Sequence, residues 1–438
     1  MAIRKYYIVP FILMLLIAGM GIFYPTSTET ISAGDPINPA DTAWMLVAAA
    51  LVLIMTPGLG FFYGGMANKK SIISTVLQSV ISLGVISILW VVVGFSLAFG
   101  DSIGGVIGNP MTFFMFNNVG TSTHTALSPT VPLLLFAFFQ LKFAIITPAL
   151  ITGSFTERVK FNSYLLFMVL FSIFIYSPLA HMTWHPDGIL RKWGVLDFAG
   201  GTVVHMSAGI AALTGAMFLG RREVHGKSDY VHLPSNIPYV IIGTGLLWFG
   251  WFGFNAGSAL AANELAVSAF ANTNTAAAAA MMTWIFFDAV RGHKVSAVGA
   301  CVGAVVGLVA ITPACGFVTL GQSLTIGVLT AIVSNMAVHW KNRSNLDDTL
   351  DVFPCHGVGG IMGMIFTGVF ANEVGLIHGV TDTFLKHIAA LFLVSAFAFV
   401  GSWVLYKITD LITPLRVSKE EEILGLDISQ HGEEYNPC

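Results

Sequence analysis

Long apolar runs broken by short polar segments dominate the chain from residue 43 to residue 412. A spanning helix needs about 20 mostly apolar residues. The stretches that qualify, with soft boundaries, are 43–66, 72–99, 131–153, 161–181, 199–219, 237–259, 266–290, 295–311, 320–340, 352–371 and 384–412. Each is expected to be helical, because backbone groups in lipid must be satisfied internally. The predicted fold class is an all-α polytopic membrane protein with eleven transmembrane helices. An earlier apolar run, Tyr7–Tyr24, follows Arg4 and Lys5 and reads as a signal peptide or an extra N-terminal helix. The expected organisation is a leader over 1–33, with cleavage favoured over retention, a membrane domain over 34–412 and a tail over 413–438.

The polar segments set a direction. Lys69 and Lys70, Arg158 and Lys160, then Arg221, Arg222 and Lys227 follow the first, third and fifth spans. Arg291 and Lys294, then Lys341 and Arg343, follow the seventh and ninth. The alternate connections are poor in Lys and Arg, and the long one, 100–130, has none. By the positive-inside rule the first core span starts outside and the tail is cytoplasmic. Composition agrees with a membrane protein: 55% hydrophobic and 10% charged residues, where a soluble domain carries about 25% charged. A soluble enzyme, a nucleic-acid binder and a disordered scaffold are excluded. Cys301, Cys315, Cys355 and Cys438 lack metal-ligand spacing, and no disulfide framework is expected.

Two pairs of segments look alike. Asp197-Phe-Ala-Gly-Gly-Thr-Val-Val-His205 opens the fifth span, and Asp348-Thr-Leu-Asp-Val-Phe-Pro-Cys-His356 opens the tenth. Pro57-Gly-Leu-Gly-Phe-Phe-Tyr-Gly-Gly65 in the first span matches Gly250-Trp-Phe-Gly-Phe-Asn-Ala-Gly-Ser258 in the sixth. A period of five spans is odd, so the second half enters the membrane with opposite orientation. Such a 5+5 inverted repeat is a transporter signature that places the substrate path at the repeat interface.

His205 and His356 are then symmetry mates inside apolar spans. They are either core histidines bonded to backbone or functional groups, the default for ionisable residues in a membrane. Two imidazoles fall short of a metal-ligand set, so no metal or other cofactor is expected. As neutral rings they suit a small solute that both donates and accepts hydrogen bonds, such as ammonia or water. Phe143, Trp184 and Phe254 lie in spans or at their outer ends, where a cation over a ring gains roughly 0.5–2 kcal/mol. Ordinary packing is the competing reading for the two Phe. Ser258 could bond a cation or simply cap a helix. Asp197 and Asp348 read as structural helix caps. Lys142 is left to snorkel, to pair with a carboxylate or to make a subunit contact. Asn255, Asn263 and Asn274 are expected to bond between helices. His124, His181, His185, His293, His339, His378 and His387 fall at span ends or in loops and are expected to be structural. No nucleophile pairs with a base, so an enzyme is not expected.

Several stretches, taken in order, resemble the Amt/Mep/Rh ammonium transporter family on its bacterial and archaeal Amt side. They are Asp41-Thr-Ala-Trp44, Met55–Gly65, Phe139-Gln-Leu-Lys-Phe-Ala144, Asp197–His205, Gly250–Ser258, Thr312-Pro-Ala-Cys-Gly316, Cys355–Gly360 and Gly425–Gly432. The resemblance implies a homotrimer with one pore per subunit in the inner (plasma) membrane. It implies an outer cation site at Phe143, Trp184 and Ser258, and a gate of Phe143 and Phe254. His205 and His356 become paired pore histidines, and Asp197 supports the outer site. The substrate implied is ammonium or methylammonium, and the tail is where a PII-type regulatory protein would act. NH4+ would be recruited outside and deprotonated, and NH3 would pass the pore, with or without a separately relayed proton. The alternatives are an ammonium sensor without significant flux and a neutral gas channel of the Rh type. Two stretches depart from the family: Met66-Ala-Asn-Lys-Lys-Ser71, and His185-Pro-Asp-Gly188, which replaces a glycine-rich turn and adds titratable groups at the entrance.

Overall fold

The computed structural model describes residues 7–225 and 233–435. Among them, nine helices are long and apolar enough to cross a membrane: Pro39–Met66, Lys69–Phe99, Leu133–Phe155, Phe161–Trp193, Gly201–Leu219, Ile237–Gly257, Leu320–Asn342, Phe353–Phe370 and Thr381–Ile412. Glu264–Val290 and Ala297–Ile311 occupy the places of the seventh and eighth expected spans. The first has length but is diluted by Asn and Thr; the second has only 15 residues. The connection 100–130 holds a small antiparallel strand pair, Ser102–Ile103 with Ile107–Gly108. Residues Ile8–Phe23 form a helix with no buried residue. Arg4, Lys5, Lys227 and Cys438 lie outside the described residues.

Helices pair where glycine lets their backbones touch, the usual basis of packing where no water drives association. Helix Pro39–Met66 runs antiparallel along Ile237–Gly257. A Cβ on Gly65 would lie 2.6 Å from the Asn236 carbonyl, and one on Gly253 would lie 2.6 Å from the Ala48 carbonyl. Helices Gly201–Leu219 and Phe353–Phe370 cross in the same antiparallel sense. There a Cβ on Gly209 would overlap the Gly357 backbone, and one on Gly360 would lie 3.0 Å from the Gly201 carbonyl. Both crossing helices open with a π-helical turn, Gly201–Met206 and Phe353–Val358, which carries His205 or His356. The matching segments of the sequence are therefore matching pairs in space.

The polar ends of the helices gather at one face. Arg222 bonds both Asp347 and Glu157 at 2.9 Å, and all three are buried. Burial opposes ionisation of Asp347, yet Arg158 and Arg222 outweigh it and hold its carboxyl below the usual range. The tail docks here. Lys160 N donates to the Leu415 carbonyl at 2.8 Å, and Ser74 N donates to the Asp427 carboxylate at 2.7 Å. Cys301, Cys315 and Cys355 are buried free thiols.

Gly209→Ala is expected to cost about 1–3 kcal/mol through overpacking at the crossing. Gly245→Ala is the control. A Cβ there meets nothing within 4 Å, and alanine gains up to about 1 kcal/mol of helix propensity. Thermal unfolding in detergent should separate the two, and equal melting temperatures would refute the crossing as a tight contact.

Candidate functional site

At the face opposite the tail, a vestibule of about 560 Å³ is lined by Phe143, Trp184, Asp197 and Ser258 among others. Trp184 ends the helix Ser177–Trp184. Its ring is fixed by Nε1 donating to the Asp197 carbonyl at 3.2 Å. Its own carbonyl accepts from Arg191 at 2.7 Å. The Phe143 ring meets it edge-on, with centroids 5.8 Å apart. Ser258 Oγ donates to the Phe254 carbonyl at 2.8 Å, which uses its proton and leaves its lone pairs free for a cation.

Beneath lies the closed part. Phe143 and Phe254 stack at 4.1 Å with 28° between their planes, and both are buried. Below them His205 packs against Trp251 at 5.3 Å and Phe254 at 6.0 Å. His205 Nδ1 and His356 Nδ1 are 3.3 Å apart. A cavity of about 10 Å³ on one side of the pair is lined by His205, His356, Val204 and Trp251. Another of about 10 Å³ on the far side is lined by His356, Phe62, Val302 and Val305. Each has room for about one water-sized molecule. Bonding of Nδ1 to Nδ1 requires one ring to donate and the other to accept. With both rings neutral, one Nε2 then carries a proton and the other is bare. His205 Nε2 is buried with no hydrogen-bond partner.

Each histidine is held by an aspartate at the start of its helix. The Asp197 carboxylate accepts from Gly200 N at 2.8 Å, from Gly201 N and Thr202 N at 2.7 Å, and from the Thr202 hydroxyl. Asp348 accepts from Val352 N at 3.1 Å and Phe353 N at 2.8 Å. Every lone-pair direction of Asp197 thus faces a backbone or hydroxyl donor, the arrangement expected of a cap. Its carbonyl, not its carboxylate, reaches Trp184.

Phe143, Trp184, Ser258, Phe254, His205 and His356 therefore form one run of neighbouring side chains, and Asp197 and Asp348 cap the helices that carry the two histidines. Three further residues escaped the sequence reading. Gln140 and Thr183 line the vestibule, and each has a buried side-chain oxygen without a partner. Gln140 is one turn before Phe143 and Thr183 adjoins Trp184, so helical spacing was the available signal. Trp251, which braces His205, was visible only as part of the repeated segment.

The asparagine expectation needs correction. Asn255 does bond between helices, to Thr273 at 2.9 Å. Asn263 caps Glu264–Val290 instead, and Asn274 is exposed. The inward position on that turn belongs to Asn272, which donates to the carbonyls of Cys315 and Val318 at 2.8 Å. Lys142 Nζ lies 5.6 Å from the Phe138 ring, a cation–π contact one turn away on the same helix.

The family model of the Ammonium Transporter Family matches residues 43–435. An ammonium transporter of Aquifex aeolicus is 46% identical over 409 residues, 91% of this chain and 94% of that protein. Among solved structures, Candida albicans Mep2 superposes with a TM-score of 0.85 at 32% identity, covering 93% of this chain and 95% of that one. A structure titled sensor Amt protein superposes with a TM-score of 0.83 at 28% identity, covering 90% and 98%.

Asp197→Ala strips the cap from four donors and is expected to cost about 3–5 kcal/mol, by the scale of charge-assisted bonds. Asp197→Asn keeps one acceptor oxygen and should retain the fold. Thermal stability and monodispersity after purification measure both, and an Asp197→Ala protein as stable as wild type would remove the cap from the account.

Proposed function

The chain belongs to the ammonium transporter family, and from that premise we propose that it recruits NH4+ at Trp184, Phe143 and Ser258 and passes NH3 between His205 and His356. The observation that carries the reading is the stacked Phe143–Phe254 pair between an open vestibule and two cavities of about 10 Å³. Such a path admits a small neutral molecule and excludes a hydrated ion.

In the vestibule the cation meets the Trp184 face and the lone pairs of Ser258. The aromatic, water-poor gate then disfavours the charged form. Lowering the pKa of ammonium by about two units costs about 3 kcal/mol, so deprotonation there is within reach. The proton is left behind or relayed separately. Past the gate, one Nε2 of the histidine pair accepts and the other donates, which matches a guest able to do both. Flux without binding loss separates this reading from an ammonium sensor, which the likeness to a solved sensor Amt protein keeps as the second reading. Binding without flux in proteoliposomes would favour the sensor.

The Lys and Arg residues gathered at the tail face support a reading in which that face is cytoplasmic and the vestibule outside, in a plasma membrane. Glu264–Val290 and Ala297–Ile311 complete eleven spans. The matching caps and antiparallel crossings support a 5+5 inverted repeat. The leader 1–33 is removed or kept as an extra helix. The resemblance supplies the homotrimer and a PII-type regulator at the docked tail 413–438.

Trp184→Leu is expected to raise half-saturation for ammonium about 5- to 30-fold, because the best π-face is lost. Half-saturation of the current in proteoliposomes checks it, and an unchanged value removes Trp184 from recruitment. The wild type should carry ammonium and methylammonium but not K+. His205→Asp combined with His356→Glu should draw water and cations into the pore and let K+ through. Current on K+ jumps decides, and a wild-type K+ current would refute deprotonation as the source of selectivity.

A further inference from the structure

The turn that follows Trp184 holds a bond that depends on the charge of one ring. His185 Nδ1 accepts from Asp187 N at 3.0 Å, and Gly188 N donates to the His185 carbonyl at 2.9 Å. The first bond has the i to i+2 pattern of an Asx turn, with imidazole in place of an amide oxygen. The His185 ring is buried and stacks on His181 at 4.4 Å with 12° between planes. His181 is itself fixed by the Ala98 carbonyl at 3.0 Å and Ser102 Oγ at 2.8 Å. The turn cannot relax far, because a Cβ on Gly188 would overlap the His181 carbonyl.

We propose that His185 is a positioning residue for cation recruitment, holding Trp184 over the vestibule through a turn that closes only when its imidazole is neutral. A protonated ring carries a proton on Nδ1 and cannot accept from Asp187 N. It would also place its charge face to face with His181. Two features tie the turn to Trp184. Arg191, in the helix Ile189–Trp193 that the turn launches, clamps the Trp184 carbonyl. Pro186 lines both the vestibule and a neighbouring cavity of about 620 Å³. When the turn opens, the clamp and this wall go with it, and the Trp184 ring is left held by its Nε1 bond to the Asp197 carbonyl alone.

The groups facing His185 are few. His181 comes from the preceding helix, Asp187, Arg191 and Lys192 from the turn and the helix after it, Asp101 from the strand-pair connection and His124 from across the side cavity. Asp187 is engaged by Lys192 at 2.6 Å, in an exposed pair that contributes little. The acceptor role requires the neutral ring, so protonation in acid releases the latch.

This inference rests on the recruitment role proposed for Trp184. The test measures half-saturation for ammonium in full-length protein in proteoliposomes at pH 7.5 and across the acid range. Wild type, His185→Asn, His185→Ala, His124→Asn and Trp184→Leu are compared. Asparagine supplies an Asx-turn oxygen and cannot be protonated. Wild type and His124→Asn are expected to lose affinity about threefold to tenfold in acid, the scale of one hydrogen bond. His185→Asn should stay flat, and His185→Ala should be impaired at both extremes. An acid loss shared equally by wild type and His185→Asn overturns the proposal, as does an unimpaired His185→Ala. So does a loss that His124→Asn abolishes. An unimpaired Trp184→Leu instead refutes the recruitment role itself, so the two failures are distinguishable.

Discussion

The Nδ1-to-Nδ1 contact between His205 and His356 is the constraint on which the rest of the structure depends. Two imidazoles from segments 151 residues apart meet at hydrogen-bond distance only if their helices touch through backbone. Gly209 and Gly357 meet that demand, since a Cβ at the first would overlap the second. The rings must also point at one another, and a helix beginning in mid-protein exposes unpaired amides that cost free energy when buried. Asp197 and Asp348 take up those amides. The π-helical first turns follow from the same demand, since they aim one residue per helix away from regular spacing. Caps, π-helical turns and crossing glycines thus follow from one short contact.

Much of this was legible in the sequence because its signals are local or repeated. The apolar runs marked the helices, the Asp and His eight residues apart marked cap and ring, and the duplicated segments paired the elements. The structure places Trp184, Phe143 and Ser258 around one vestibule. What escaped depends on which way a side chain faces. Asn272 and Asn274 differ by two positions on a helix that reads as uniformly mixed, so the sequence offered no reason to choose the inward one. Gln140 looked like a polar residue on a span, and only the vestibule beside it explains an oxygen without a partner. The length criterion also failed at Ala297–Ile311, where 15 residues stand in a place that the pattern reads as a span.

Stability and conduction place opposite demands on the same polar groups. At the tail face Arg222, Glu157 and Asp347 are buried and fully engaged with one another, so they fix the ends of three helices and leave no free valence for a passing solute. Along the path the reverse holds. Ser258 keeps lone pairs, Gln140 and Thr183 keep an oxygen, and His205 keeps Nε2. Buried polar atoms without partners also occur away from the path, at Gln78, Tyr176 and Ser402, so what sets the path apart is that its free acceptors sit beside the vestibule and the histidine pair. Under the proposed transport of ammonium, each of them would bond to the guest in turn.

The transport proposed above takes its order of steps from that arrangement. Oxygen lone pairs come first, at the vestibule, where a cation gains from them and from the Trp184 face. The stacked rings come next, and no cation fits between faces whose centroids are 4.1 Å apart. Beyond them the acceptors are imidazole nitrogens in cavities of about 10 Å³, where a charge would face desolvation of several kcal/mol and a neutral amine would not. The charge is therefore welcome on one side of Phe143 and Phe254 and unwelcome on the other. A solute able to discard its charge as a proton can cross that boundary, and one of the same size whose charge is fixed cannot.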